Sequence, residues 1–134
     1  SVLLMKRRPD LLPRPTEAEL ELLAVLWEKG PATVRDLHDE IHTRRDIGYT
    51  SVLKLLQIMT EKGLVDREEA GKAHIYRAAA SQQATQNQLL REMSERLFAG
   101  SAAQLALHAL AMEPVGDRDL EELRNLIEKK RKRP

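Results

Sequence analysis

The segment Gly48-Tyr49-Thr50-Ser51-Val52-Leu53-Lys54-Leu55-Leu56-Gln57-Ile58-Met59-Thr60-Glu61-Lys62-Gly63 carries an apolar stripe and a polar one at once. Val52, Leu55, Leu56 and Met59 recur at i, i+3, i+4 and i+7, which stacks their side chains on one face of an α-helix. Ser51, Lys54 and Gln57 then point elsewhere. Gly48 suits the N-cap, Tyr49, Thr50 and Ser51 fill the first turn, and Lys62-Gly63 is a C-terminal stop. A helix that opens with hydroxyls and backbone N–H groups offers donors to phosphate oxygens and base edges. The expectation is a DNA-recognition helix.

Upstream, Thr16 and Glu19 have the spacing of a capping box, in which each side chain satisfies a backbone N–H of the other. Leu20, Leu23, Ala24 and Trp27 follow as an expected inward stripe, closed by Lys29-Gly30-Pro31. Thr33 and Asp36 form a second box before Val34, Leu37 and Ile41, which share one face of a shorter helix ending near Thr43. Downstream, Leu64 to Glu69 and Ala73 to Arg77 are β-like runs around the link Ala70-Gly71-Lys72, the pattern of a hairpin. Three helices followed by a hairpin make a winged helix-turn-helix, with Arg67, Lys72, His74 and Arg77 on or beside the wing.

Ser81 is the expected N-cap of a fourth helix, in which Leu89, Leu90, Met93 and Leu97 recur at helical spacing. Ser101 to Met112 is apolar nearly all round, and such a helix is buried on most sides. In a chain this short, a second copy is the expected source of that burial. Pro114 and Gly116 break the run, and Asp117 to Lys130 forms a last helix with Leu120, Leu123 and Ile127 expected inward. The organisation expected is therefore a loose arm over residues 1–14, a winged helix-turn-helix over 15–80, and a helical dimerisation region with a basic tail over 81–134. The fold class is mostly α with a small β-hairpin. Leu90, Met93, Leu97, Leu105, Leu107, Leu110, Leu123 and Ile127 are the candidate dimerisation residues.

Composition narrows the function. The 134 residues are enough for a core without staples, and the absence of cysteine excludes disulfides and thiolate metal sites. No apolar run reaches the roughly 20 residues of a membrane span, and the charges of Lys6, Arg7 and Arg8 follow the first apolar patch instead of preceding it. A cytoplasmic protein without membrane insertion is expected. The net charge of +1 does not by itself point to nucleic acid. Its distribution says more, since Arg44, Arg45, Lys54, Lys62, Arg67, Lys72 and Arg77 outnumber Asp46, Glu61, Asp66, Glu68 and Glu69 in the central region.

His38 and His42 stand at i, i+4, as in zinc hydrolases, but Asp39 occupies the position where the metalloprotease pattern needs Glu. No third ligand lies at a recognisable offset, so a solvated face is expected, with no metal and no cofactor. Nor is there a phosphate loop, a nucleophile elbow or a cysteine nucleophile. The expectation is that the chain is not an enzyme. His108, within the most apolar helix, is expected to be a hydrogen-bonded interface residue, and too few aromatics are present for base-stacking platforms.

Pro15-Thr16-Glu17-Ala18-Glu19 to Leu26-Trp27, Gly30-Pro31-Ala32-Thr33-Val34-Arg35, Tyr49-Thr50-Ser51-Val52 to Lys62-Gly63-Leu64-Val65, His74-Ile75-Tyr76, and Glu121-Glu122-Leu123-Arg124-Asn125-Leu126-Ile127 together resemble the BlaI/MecI penicillinase-repressor family of winged-helix regulators. The resemblance covers about Pro15 to Lys130. It implies a cytoplasmic homodimer that binds a palindromic operator in double-stranded DNA and represses transcription. It also implies dimerisation through the C-terminal helices, and release by proteolysis under a membrane sensor peptidase.

Three features depart from the family pattern. The paired Cys-x-Cys motifs of copper-responsive relatives are absent, and His108-Ala109 stands where β-lactam-responsive members have the cleaved Asn-Phe. Lys54 and Ile58 replace the Thr and the basic residue of many members. The expected DNA contacts are Tyr49, Thr50, Ser51, Lys54, Gln57, Arg67, Lys72, His74 and Arg77. The competing expectation is a winged helix that docks onto a protein through the Val52 to Ile58 surface, with Leu53 and Ile58 off the core face.

Overall fold

The computed structural model describes residues 12–132, so most of the expected arm and the end of the basic tail, Arg133, lie outside the described residues. Helices α1 (Glu17–Lys29), α2 (Val34–His42) and α3 (Tyr49–Lys62) are followed by strands β2 (Val65–Ala70) and β3 (Ala73–Ala78). A two-residue strand β1 (Ala32–Thr33) precedes α2, and helices α4 (Gln82–Leu97), α5 (Ala102–Met112) and α6 (Asp117–Arg131) complete the chain. The chain divides into two compact units between Leu89 and Leu90, within α4.

Both capping boxes form. The Glu19 amide donates to Thr16 Oγ1 at 3.2 Å and the Thr16 amide donates to Glu19 Oε1 at 2.8 Å. The Thr33 and Asp36 pair repeats the arrangement at 3.1 and 3.4 Å. The inward stripe of α1 corrects the expected one: Ala24 is exposed and Leu20 and Trp27 are half-buried, whereas Glu19, Leu22, Leu23, Val25 and Leu26 are buried. The stripe is shifted by one residue because Glu19, a charged side chain, occupies one of its buried positions. In α2, Val34, Leu37 and Ile41 are buried as their spacing requires. In α3, Val52, Leu56 and Met59 are fully buried while Leu55 is only half-buried. Gly63, at φ 80°, lets Leu64 turn back to donate to the Met59 carbonyl at 2.8 Å, a Schellman-type stop.

The hairpin is tighter than the link read from sequence, because Ala70 pairs with Ala73 and only Gly71-Lys72 turns. Gly71 takes φ 65°, a value that glycine adopts without steric cost. The sheet has a third member that the sequence reading lacked, since Ala32 and Thr33 pair with Tyr76 and Ile75 to give the order β1-β3-β2. Val65 and Tyr76 face the helices and are 1 % exposed.

Two contacts tie the helical end of this unit to its start. Trp27 Nε1 donates to the Ala80 carbonyl at 2.9 Å. Buried Gln88 grips Leu12 twice, accepting from its amide at 2.7 Å and donating to its carbonyl at 2.6 Å. Ser81 caps α4 by accepting from the Ala84 amide at 3.0 Å.

In the second unit, α5 begins at its Ser101 cap and holds no buried residue, and neither does α6. The expectation that the chain itself covers one face of α6 is corrected: Leu123 is half-buried, but Leu120 and Ile127 are exposed. Leu90, Met93, Leu97, Leu107 and Leu110 are exposed as well, and Leu105 is half-buried. Two short helices and half of a third supply too little apolar area to cover one another. His108 Nδ1 donates to the Gln104 carbonyl at 2.9 Å, and the His108 ring lies 5.1 Å from that of Phe98.

Candidate nucleic-acid interface

The fully buried Val52, Leu56 and Met59 fix the rotation of α3 about its own axis and so determine what it presents outward. Thr50, Ser51, Lys54 and Gln57 are all exposed, forming a polar strip along the side opposite the core. Tyr49 and Ile58 flank it, 44 % and 39 % exposed. Gly48 is extended at the N-cap, and no side chain caps the first turn, which leaves backbone donors at this end for an outside acceptor.

The far end of α3 is anchored by a residue that the sequence reading used only as a cap. Lys62 Nζ lies 2.6 Å from Glu19 Oε1, whose side chain is 3 % exposed. Burial alone raises the pKa of this carboxyl, but the Lys62 hydrogen bond, the Thr16 amide, the Lys62 charge and the Thr16 hydroxyl outweigh it and hold Glu19 below the ordinary carboxylate range. The two ends of the helix thus have opposite fates. The C-terminal end is clamped to α1 and the N-terminal end is open.

Carboxylates sort the cations around the strip. Arg44 pairs with Glu40 at 3.5 Å, Arg45 with Glu21 at 2.9 Å, and on the wing Arg77 with Glu68 at 3.0 Å. His74 lies 3.9 Å from Glu69. Lys54, Arg67 and Lys72 have no carboxylate partner among the described residues. Thr50, Ser51, Lys54 and Gln57 therefore share one helix face, while Arg67, Lys72, His74 and Arg77 sit on the hairpin of the same unit in unlike electrostatic states.

His38, half of the expected zinc-spaced pair, has a structural post. Its Nε2 meets the Ile47 carbonyl at 3.0 Å and its Nδ1 meets Asp39 Oδ1 at 3.2 Å, tying α2 to the turn before α3. Its ring stacks on His42 at 5.2 Å and meets Tyr49 edge-on at 6.0 Å. Among the described residues no group of three or more metal-ligating side chains converges.

The family model described as "Penicillinase repressor" matches residues 15–129. The chain belongs to the penicillinase repressor family. The match spans both units, and the family is one of transcriptional repressors, not of enzymes. Among penicillinase repressor relatives, the methicillin resistance regulatory protein MecI of Mammaliicoccus sciuri is 24 % identical over 115 residues, covering 86 % of this chain and 94 % of that one. The transcriptional regulator BlaI of Mycobacterium tuberculosis is 36 % identical over 66 residues, covering 48 % of each chain. The solution structure of the DNA-binding domain of the repressor BlaI superposes with a TM-score of 0.50 at 18 % identity, covering 55 % of this chain and 90 % of that one. That likeness confirms the winged-helix fold. No helix among the described residues is long and apolar enough to cross a membrane.

Proposed function

We propose that this penicillinase repressor homologue is a homodimeric transcriptional repressor that seats α3 in the major groove of a pseudo-palindromic operator. The observation that carries the reading is the strip Thr50, Ser51, Lys54 and Gln57, exposed along a helix whose opposite side is locked into the core of a family member. Short polar side chains and one lysine at the N-terminal half of such a helix suit base edges and nearby phosphates. Tyr49 packs or hydrogen-bonds beside the backbone, and Arg67 and Lys72, having no carboxylate partner among the described residues, anchor the wing. Glu68 and Glu69 moderate the contribution of Arg77 and His74.

Dimerisation is assigned to 81–134, where Leu90, Met93, Leu97, Leu107, Leu110 and Ile127 are uncovered in the single chain and Leu105 and Leu123 are half covered. Two-fold symmetry then places the half-sites about one helical turn apart. The family resemblance supplies the release step, a signal such as proteolysis in the C-terminal region under a membrane sensor peptidase.

Footprinting of the purified chain on its own genome, followed by a salt titration on the protected duplex, tests this reading. Protection of two symmetric half-sites and a steep fall of affinity with salt are expected. Equal affinity for protected and scrambled duplexes refutes sequence reading by α3. A contact that ignores salt assigns the strip, with exposed Ile58 at its edge, to a protein partner.

A further inference from the structure

We propose that Arg35, on α2 and outside the recognition helix, is a DNA-phosphate contact of the interface, held in place by Tyr49; the proposal rests on the DNA-binding reading above. Arg35 lies in the second position of α2 and is exposed. Its guanidinium carbon sits 5.8 Å from the centroid of the Tyr49 ring, in cation–π range, so the first helix of the motif sets a charge directly at the mouth of α3. The neighbouring arginines are committed elsewhere, Arg44 to Glu40 and Arg45 to Glu21, and Lys62 is committed to Glu19. From Thr33 to Gly63, Arg35 and Lys54 are the cations without a carboxylate partner among the described residues.

A guanidinium held over a ring at this distance commits no N–H group to a carboxylate, and its planar fork of donors suits two phosphate oxygens. In helix-turn-helix docking the first helix crosses the backbone while the second enters the groove, so a cation at this point meets phosphate and not a base. The carboxylates of α2 are engaged elsewhere, Asp36 with the Thr33 amide, Asp39 with His38 and Glu40 with Lys29 and Arg44. Arg35 therefore contributes affinity without sequence preference and orients Tyr49 at the same time.

The test is a salt titration of the full chain on a random-sequence duplex, which needs no knowledge of the operator. Arg35→Ala is expected to weaken binding severalfold and to reduce the salt slope by about one. Arg35→Lys is expected to restore the slope, since it restores the charge. Arg44→Ala, which removes an arginine already paired with Glu40, is expected to leave the slope unchanged. An unchanged slope in Arg35→Ala, or an equal reduction in Arg44→Ala, overturns the inference while the DNA-binding reading stands. A wild-type chain without salt-dependent binding overturns both together.

Discussion

The Glu19 carboxylate and the Lys62 ammonium meet at 2.6 Å, joining the first turn of α1 to the last turn of α3. Because the same carboxylate also caps α1, its removal leaves the Thr16 amide and a partly buried ammonium without partners. Glu19→Ala is expected to cost about 2 kcal/mol in a thermal or denaturant melt. Glu19→Gln, which keeps an acceptor for the amide, is expected to cost less. The pH dependence follows from the depressed pKa of Glu19. A free glutamate titrates at about 4.3, so the stabilisation is complete above that value and is lost as pH falls through the lower folded value. A Glu19→Gln stability profile that parallels wild type through this range, with wild type losing no extra stability as pH falls, refutes the assignment.

Gln57 and Lys72 separate reading from holding. Gln57→Ala is expected to relax preference at one base pair at a cost of about 1–3 kcal/mol on the operator alone. Lys72→Ala is expected to weaken all duplexes alike and flatten the salt slope by about one unit. Identical losses on operator and random DNA for both variants remove the distinction.

Glu68 restrains the wing by holding Arg77 at 3.0 Å. Both side chains are largely exposed, so Glu68→Gln is expected to change folding stability by less than about 1 kcal/mol. The larger effect is expected on binding, where freeing Arg77 and removing a negative charge should strengthen association with any duplex and steepen its salt dependence. Unchanged affinity in a low-salt gel shift contradicts this.

Leu107 is 59 % exposed in the single chain although α5 is apolar. Leu107→Asp puts a charge into the proposed dimer interface and is expected to give monomers by light scattering, with the winged-helix unit still folded by circular dichroism. A variant that remains dimeric moves the interface away from α5.

Much of this architecture was legible from the sequence because its local signals agree. Capping boxes, the stripe of α3 and the hairpin glycine each have one reading, and each formed. What stayed hidden depends on distant partners. Glu19 shifts the phase of α1 because Lys62, 43 positions away, makes its burial tolerable. Strand β1 is two residues long, too short for any periodicity, and exists because β3 offers it an edge. The candidate site shows the same limit. Spacing identified the strip on α3, but it could not reveal which arginines are neutralised, since Glu21, Glu40 and Glu68 select among them only in three dimensions. Arg35 belongs to no spacing pattern of its own, and nothing in the order of residues pairs Arg77 with Glu68.

The double grip of Gln88 on Leu12 makes the backbone enter and leave the winged-helix unit at one point. A pull applied along the chain from either side of that point is met by these two side-chain hydrogen bonds. Tension carried through the polypeptide thus loads a clasp made by Leu12 and Gln88, two residues that belong to none of α1, α2 and α3.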